Sequence, residues 1–281
     1  MLPTLAQVCS LASPFETDVA DYAAGQCVSL EIYLTKLEQY LATHEVDDVK
    51  RLLAEHEMAA PVASFQGGLL DTQGEARAQH WAHFSARLSL CQKLSIDTLV
   101  VAADVAGPFS QQDLDRVTAS LAQAAQQAGE CGVRLALEFQ ATAAFCNNLQ
   151  TAAAVVAETA SPHLGICLDA FHFFTGPSKT EDLDLLSGEN LFHVQLCDLA
   201  GRPRELAADA DRILPGDGDL PLGALVARLR EIDYAGCVSV ELMNPQIFQI
   251  PARQFGEIAL TALRKLLSSG DRWSRPGEIH A

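Results

Sequence analysis

Four apolar segments between residue 134 and residue 245 each contain one side chain whose oxygen atoms can bind a metal ion. These residues are Glu138 in RLALEFQ, Asp169 in GICLDAF, Gln195 in FHVQLCD and Glu241 in CVSVELMNP. A single carboxylate at the end of a strand is more often a surface group than a ligand. Four polar side chains that interrupt four such runs favour a shared site, because a divalent cation removes the repulsion between carboxylates in a water-poor pocket. Three carboxylates and an amide oxygen favour Mn²⁺ or Mg²⁺, while Zn²⁺ and Co²⁺ remain open.

Two histidines and one arginine extend this set toward substrate binding. His172 lies three residues after Asp169, beyond the end of the predicted strand, where we expect it to orient or protonate a substrate oxygen. His193 shares the strand face of Gln195 but lies one layer deeper, so contact with substrate and packing beneath the site both remain open. Arg212 precedes a PGDG turn in a charged loop, which is typical of a lid or of a clamp for an anionic or hydroxylated end of a substrate.

The remaining sequence predicts the frame that brings these side chains together. Short apolar runs such as Thr98–Ala103 alternate with helix-like segments such as Gln111–Gly129 through eight repeats. Eight strand-then-helix units in series predict an α/β protein with a single (β/α)8 TIM barrel. A doubly wound sheet is the competing fold, but the chain lacks the glycine-rich motifs of nucleotide-binding sheets. We expect the barrel to cover residues 1–270 and a polar C-terminal tail to cover residues 271–281.

The alternation of residues along each predicted strand supports this frame. A barrel strand points every second residue into the barrel. The residues two positions before the four candidate ligands are mostly small and can fill the barrel beneath a polar layer; they are Ala136, Cys167, His193 and Ser239. Because active sites of TIM barrels lie at the carboxyl ends of the strands, all four ligands are expected at one mouth. Earlier in the chain, the pattern predicts a first strand over Thr4–Leu11 and one long helix over Thr35–Met58.

Composition and charge exclude several classes of protein. The chain has 281 residues, is 49% hydrophobic and carries a formal charge of −17, which argues against a nucleic-acid partner because phosphate contacts need clustered Lys and Arg. No apolar run reaches the roughly 18–20 residues that a membrane helix needs, and the first residues do not resemble a signal peptide. The eight cysteines lie far apart and form no C-x-x-C pair. We therefore expect a cytoplasmic protein that binds neither membrane nor nucleic acid.

As a set, these motifs resemble the sugar phosphate isomerase/epimerase family of xylose isomerase-like TIM barrels. The matching segments are LEF, LDAFH, HVQLCD, DRILPGDGDLPL and VSVEL, and EIYLTKLEQYL is similar to the usual second strand and helix. The resemblance covers essentially the whole chain. That family includes inosose isomerases and dehydratases, ketohexose 3-epimerases, hydroxypyruvate isomerases and one class of 3-dehydroshikimate dehydratases. Many members have His at the position of Gln195, whereas Gln there is more similar to hydroxypyruvate isomerases and some dehydroshikimate dehydratases.

The resemblance implies a metal ion held by Glu138, Asp169, Gln195 and Glu241, with His172 touching the substrate. The working hypothesis is an isomerase or epimerase of a sugar, a sugar phosphate or a keto-polyol, in which Glu138 or Glu241 removes a proton next to a carbonyl and the metal stabilises the enediolate. A dehydratase of a cyclic keto-polyol such as 3-dehydroshikimate or keto-inositol is the alternative. A sugar-binding barrel without turnover is the non-enzymatic alternative. Paired and tetrameric barrels are common in the family, so a homo-oligomer stays open.

Overall fold

Eight parallel strands close into a barrel in the computed structural model of the chain, which describes residues 1–268. In chain order they are β1 (Leu2–Ala6), β2 (Ser29–Tyr33), β3 (Ala59–Gln66), β4 (Thr98–Ala102), β5 (Arg134–Glu138), β6 (Leu164–Asp169), β7 (Leu191–Leu196) and β8 (Cys237–Val240). Each strand pairs with its sequence neighbours, and β1 closes the ring against β8. The predicted TIM barrel is confirmed. The predicted tail over residues 271–281 lies outside the described residues.

Helices connect the strands and cover the barrel. They are α1 (Phe15–Ala24), α2 (Leu34–Leu41), α3 (Val46–Glu55), α4 (Gly74–Leu94), α5 (Gln111–Glu130), α6 (Leu149–Thr159), α7 (Ala170–Thr175), α8 (Leu222–Glu231) and α9 (Ala252–Ser268). A large apolar core joins helices and strands. A smaller apolar cluster fills the barrel beneath the polar layer; it contains Val62, Val100, Ala136, Cys167, Phe192 and Cys237. Within residues 1–268, none of the helices has the length and apolar character needed to cross a membrane.

The long helix predicted over Thr35–Met58 is wrong, because the structure contains two helices there, α2 and α3. Local side chains end the first helix and start the second. The His44 ring lies 3.1 Å from the carbonyl oxygen of Tyr40, and the backbone N–H of Glu45 donates to the Asp48 carboxylate at 2.8 Å. These bonds satisfy backbone groups that a continuous helix would use, so the chain turns between the two segments.

The strand predicted over Thr4–Leu11 is also wrong at its C-terminal end, because β1 ends earlier and continues as a 3₁₀ turn. Polar side chains of this turn find partners inside the protein. The side-chain Oε1 of Gln7 accepts the backbone N–H of Tyr33 at 3.2 Å, and the Ser10 hydroxyl donates to Asp18 at 2.8 Å. The chain therefore leaves the sheet where its side chains can pair with groups outside the strand ladder.

The register of the late strands brings the predicted ligands to one level. Asp169 lies directly opposite Gln195 across β6 and β7. Gln195 in turn pairs with Ser239, two residues before Glu241. Glu138 is the last residue of β5. The frame predicted from the strand pattern therefore places these four residues at the carboxyl mouth of the barrel.

Candidate active site

Three carboxylates converge at the carboxyl ends of β5, β6 and β8. Glu138 ends β5, Asp169 ends β6 and Glu241 directly follows β8, and all three are buried. Asp169 also caps α7, since its Oδ1 accepts the backbone N–H of Phe171 at 2.6 Å. Glu138 accepts a short hydrogen bond from the side-chain amide of Gln140. Strand ends and one helix cap thus hold the carboxylates in place.

The candidate metal-ligand atoms of Glu138, Asp169 and His172 all lie within 4.8 Å of one another, a spacing that suits a site for a metal ion. Burial raises the pKa of Glu138 well above the usual carboxyl range, and the negative charge of Asp169 adds to this. Two buried carboxylates this close are costly to ionise together without a cation, so the donor set fits a divalent ion. The structure thus groups two predicted ligands with a histidine that the sequence assigns to substrate.

His172 lies in α7 and lines the pocket. Its Nε2 is 3.9 Å from Asp169 Oδ2, and its Nδ1 accepts the backbone N–H of Ala141 at 3.4 Å. Burial lowers the pKa of His172, although the nearby Asp169 charge opposes this shift. These contacts favour a neutral imidazole with its proton on Nε2, which can donate to an oxygen in the pocket.

Arg212 is the cation of the site, and carboxylates surround it. Its Nη1 donates to Asp169 at 2.8 Å and to Glu241 at 2.9 Å. Its Nε and Nη2 contact Asp209 at 3.0 and 2.8 Å. Burial opposes the charge of the guanidinium, but Asp169 and Glu241 raise its pKa well above the usual value. The sequence predicts that Arg212 holds an anionic or hydroxylated end of the substrate, whereas the structure directs its donors to protein carboxylates.

The Gln195 side chain turns its amide nitrogen, not its oxygen, toward the carboxylates. Nε2 donates to Glu31 and to Glu241, each at 2.9 Å, while Oε1 accepts from the Cys167 thiol at 3.2 Å. Rotating the amide by half a turn would set its oxygen against two carboxylates, so the surrounding network selects the observed orientation. An amide nitrogen that carries two hydrogens is no metal ligand. In this conformation Gln195 therefore does not offer the oxygen ligand that the sequence predicts.

Beneath this layer, His193 pairs with Glu31. Its Nε2 lies 2.8 Å from Glu31 Oε2, and neither residue is exposed. Burial opposes ionisation of Glu31, but the charge of His193 and its hydrogen bond lower the pKa of this carboxyl. His193 does not line the pocket, so of the two roles left open for it the structure supports packing beneath the site and not substrate contact. Glu31 interrupts the apolar run SLEIY as the four predicted ligands interrupt theirs, and that signal identifies it in retrospect.

The loop that carries Arg212 is folded around Asp198. The Asp198 carboxylate accepts three backbone N–H groups of the same loop, those of Leu199, Gly216 and Leu220, at 2.9–3.0 Å. A side chain at Gly218 would not fit, because a Cβ there would lie 2.4 Å from Asp198 Oδ1. The backbone carbonyl of Arg212 accepts the Asn244 amide at 3.1 Å. These contacts support the loop in the conformation that positions Arg212, and its role as a lid or a clamp stays a prediction.

The pocket itself has a volume of about 210 Å³ and combines an acidic part with an apolar part. The apolar residues that line it are Val8, Leu11, Tyr33, Phe65, Val100, Ala102 and Met243. Phe65 remains 45% exposed although it is a large aromatic side chain. Asp104 and Asp209 add two further acids to the lining. The sequence alone does not assign these residues to the site, because the pattern of the late strands says nothing about the loops and early strands that contribute them.

Comparisons with known proteins agree on the kind of barrel. A family model described as xylose isomerase-like TIM barrel matches residues 26–266. An inosose isomerase of Halalkalibacterium halodurans is 27% identical over 228 residues, which is 79% of each chain. A 3-dehydroshikimate dehydratase of Pseudomonas aeruginosa is 26% identical over 265 residues, which covers 92% of this chain but 40% of the relative.

A solved structure extends this likeness to the fold of the whole barrel. The crystal structure of the IolI protein with a bound zinc atom superimposes with a TM-score of 0.90, covering 97% of this chain and 100% of that one. The two sequences are 22% identical. At this level of identity the superposition demonstrates a shared fold.

Proposed function

The chain belongs to the xylose isomerase-like TIM barrel family, and on this basis we propose that it is a metal-dependent isomerase or epimerase of a sugar, a sugar phosphate or a keto-polyol. The observation that carries the proposal is the convergence of Glu138, Asp169 and Glu241 at one buried mouth of the barrel. Similarity to an inosose isomerase over 79% of both chains supports the same type of activity.

We assign the metal ion to Glu138, Asp169 and Glu241, with His172 beside them. A bound divalent cation supplies Lewis acidity, which stabilises the negative charge that develops on a carbonyl oxygen when its neighbouring carbon loses a proton. Carboxylate oxygens suit Mn²⁺ and Mg²⁺, and the zinc bound by the IolI protein makes Zn²⁺ a third candidate. Gln195 holds Glu241 by its 2.9 Å hydrogen bond and is not part of this ligand set.

Glu138 and Glu241 are the residues that we assign to proton transfer. Glu138 ends β5 and Glu241 directly follows β8, three strand positions away around the barrel, and both line the pocket. Burial raises the pKa of each well above the usual carboxyl range, so each is a stronger base than an exposed carboxylate and can take up a proton and return it. Return to the opposite face of the same carbon gives an epimer. Return to the neighbouring carbon gives an isomer.

Two further residues support this chemistry. His172, neutral and with its proton on Nε2, donates to a substrate oxygen and so orients the carbonyl. Arg212 donates hydrogen bonds to both Asp169 and Glu241. It therefore holds both carboxylates in position during proton transfer. Neither residue is required to change its own charge.

The test is hydrogen exchange at the carbon next to the carbonyl. Protein loaded with Mn²⁺ is incubated in D₂O with a keto-inositol or D-fructose, and NMR follows loss of the hydrogen signal. We expect exchange that EDTA abolishes and added Mn²⁺ restores. A panel of sugars, sugar phosphates and keto-polyols that shows neither exchange nor product would contradict the proposal.

Dehydration is the second candidate, favoured by the similarity to a 3-dehydroshikimate dehydratase over 92% of this chain. The first step is the same proton removal, after which a hydroxyl on the next carbon leaves as water. The product gains a double bond, so an enone or aromatic absorbance in the ultraviolet identifies this reaction. Isomerisation and epimerisation leave that absorbance unchanged.

A further inference from the structure

Building on the proposed function, we propose that the pocket selects an uncharged substrate, a free sugar or keto-polyol without a phosphate or carboxylate group. The reason is that the guanidinium of Arg212 already binds carboxylates of the protein. Among the described residues that line the pocket, Arg212 is the one Lys or Arg side chain. Tight recognition of an anion needs such a cation with N–H donors to spare.

Four of the five N–H groups of Arg212 have carboxylate partners. Nη1 bridges Asp169 and Glu241, and both Nε and Nη2 contact Asp209. The Phe171 ring covers one face of the guanidinium at 4.4 Å, and Arg212 is 1% exposed. A substrate phosphate or carboxylate that displaced Asp169 or Glu241 would leave a buried carboxylate without its partner, which is strongly unfavourable; Asp209 is half-exposed, and its contacts to Nε and Nη2 already occupy that side of the guanidinium.

The acids of the site also outnumber its cations. Four acids line the pocket, and Asp169 lies beneath them; the four are Asp104, Glu138, Asp209 and Glu241. When a divalent ion is bound and all five carboxylates are ionised, Arg212 and the ion supply three positive charges against five negative ones. The metal-loaded pocket therefore keeps a negative potential, which repels an anion and leaves a neutral ligand unaffected.

The rest of the lining suits a neutral polyol. Tyr33, Phe65, Leu11 and Met243 present aromatic and aliphatic surface, against which the C–H face of a sugar or carbocycle can pack. The carboxylates accept hydrogen bonds from hydroxyl groups, which are donors that a phosphate or carboxylate lacks. Both parts of the pocket thus favour C–H and O–H groups over a negative charge.

The potential can be measured without knowing the substrate, by the reactivity of a cysteine placed in the pocket. Leu11→Cys puts a thiol at a lining residue that is 40% exposed, and Val28→Cys puts one on a 52% exposed residue at the other end of the barrel. Each variant is alkylated with neutral iodoacetamide or anionic iodoacetate in the presence of Mn²⁺, and mass spectrometry reads the rate at that position. The ratio of the two rates cancels differences in thiol pKa, because both reagents attack the same thiolate.

We expect the iodoacetamide-to-iodoacetate ratio at position 11 to exceed that at position 28 by about fivefold or more, and to fall in high salt. Adding Asp209→Asn should lower the ratio, because it removes a negative charge and frees donors of Arg212. Asp184→Asn is the matched control, since this carboxylate is 84% exposed and lies outside the pocket. A ratio at position 11 equal to or below that at position 28 would overturn the proposal.

Matched ligands supply the second measurement. Calorimetry compares D-fructose with D-fructose 6-phosphate, and a keto-inositol with 3-dehydroshikimate, on the Mn²⁺-loaded protein. We expect the neutral member of each pair to bind more tightly, and a tighter anionic member would overturn the proposal. If no ligand binds, the alkylation ratio alone decides it. Loss of hydrogen exchange with every compound refutes the proposed function but does not alter the ratio, so the two failures are distinguishable.

Discussion

Two buried cations, Lys36 and Arg212, occupy acidic surroundings beyond the carboxyl ends of barrel strands, but only Arg212 borders the pocket. Lys36 Nζ donates to Asp18 and to the backbone carbonyl of Ser10, each at 2.5 Å. One cation thus meets one carboxylate. Arg212 instead contacts three carboxylates, those of Asp169, Asp209 and Glu241. We refer to the Lys36–Asp18 group as the closed cluster and to Arg212 with its three carboxylates and Glu138 as the open cluster.

The difference shows what marks a functional site in this protein. Burial of charge is common to both clusters and therefore does not distinguish them. An excess of carboxylates beside a cavity distinguishes the open cluster, because that excess is relieved by a proton, a metal ion or a substrate hydroxyl. The closed cluster needs no ligand, since its charges already balance within the fold. Substitutions in the two clusters should accordingly change different quantities.

The largest effect is expected from removing a proton acceptor of the open cluster. Glu138→Gln and Glu241→Gln keep the side-chain volume but remove the base, so the rate of hydrogen exchange should fall by about 10²–10⁴-fold. The melting temperature of Glu138→Gln should stay constant or rise, because the repulsion with Asp169 is relieved, whereas Glu241→Gln also weakens the contacts to Arg212 and Gln195 and should lower it. Exchange followed by NMR and thermal unfolding measure the two effects. Exposed Glu189 offers the control Glu189→Gln, and full turnover in both site variants would refute the assignment.

A substitution in the closed cluster should change the stability of the protein and leave the rate of hydrogen exchange unchanged. Lys36→Met leaves Asp18 buried without its partner, which should lower the free energy of unfolding by about 3–5 kcal/mol. The folded fraction should keep its exchange rate. Urea unfolding measures the loss, and Lys50→Met is the control because the Lys50–Asp47 pair is exposed. If Lys36→Met lowers the free energy of unfolding no more than Lys50→Met does, the closed cluster does not stabilise the fold.

Stability should also depend on pH through Asp18. Burial raises the pKa of this carboxyl from 3.8 to about 6, although Lys36 opposes the shift. The folded protein therefore binds this proton more tightly than the unfolded chain, and the stability that Asp18 contributes below pH 3.8 is lost as the pH rises to about 6. The difference in unfolding free energy between the natural protein and Asp18→Asn should fall by roughly 2 kcal/mol between pH 4 and 6.

The open cluster should give the opposite sign at Asp169. Burial opposes ionisation there, but Arg212 lowers the pKa of this carboxyl below its usual value. Asp169 then contributes stability above the pKa of the unfolded chain, and this contribution is lost as the pH falls. The difference in unfolding free energy between the natural protein and Asp169→Asn should therefore increase with pH. Equal signs at Asp18 and Asp169 would remove the distinction between the two clusters.

Much of the fold and the positions of the main carboxylates follow from the sequence. Eight alternating segments predict the barrel, and a polar residue that interrupts a buried strand is visible without a structure. The helix break before Glu45 was harder to predict, because it depends on local hydrogen bonds such as that between Glu45 and Asp48. Lys36 likewise has no sequence signal that separates it from an exposed helical lysine.

The directions of the side chains at the site could not be predicted. The Gln195 amide is oriented by Glu31, a residue 164 positions away on another strand. The donors of Arg212 are occupied through Asp209, whose position depends on a 3₁₀ turn within the loop. Residue type and strand parity predict which face of a strand a side chain leaves. Its hydrogen-bond partners come from distant segments that converge only in the folded barrel.

The smallest effect is expected at the contact between the open cluster and the layer beneath it. Gln195→Leu removes the donor shared by Glu31 and Glu241, while Glu241 keeps Arg212. The exchange rate should therefore fall by only about tenfold, the scale of one lost hydrogen bond to a charged group. Calorimetric titration with Mn²⁺ separates the two roles of this residue. An unchanged metal affinity is expected if Gln195 positions Glu241, whereas a large loss of affinity would make it the ligand that the sequence predicts.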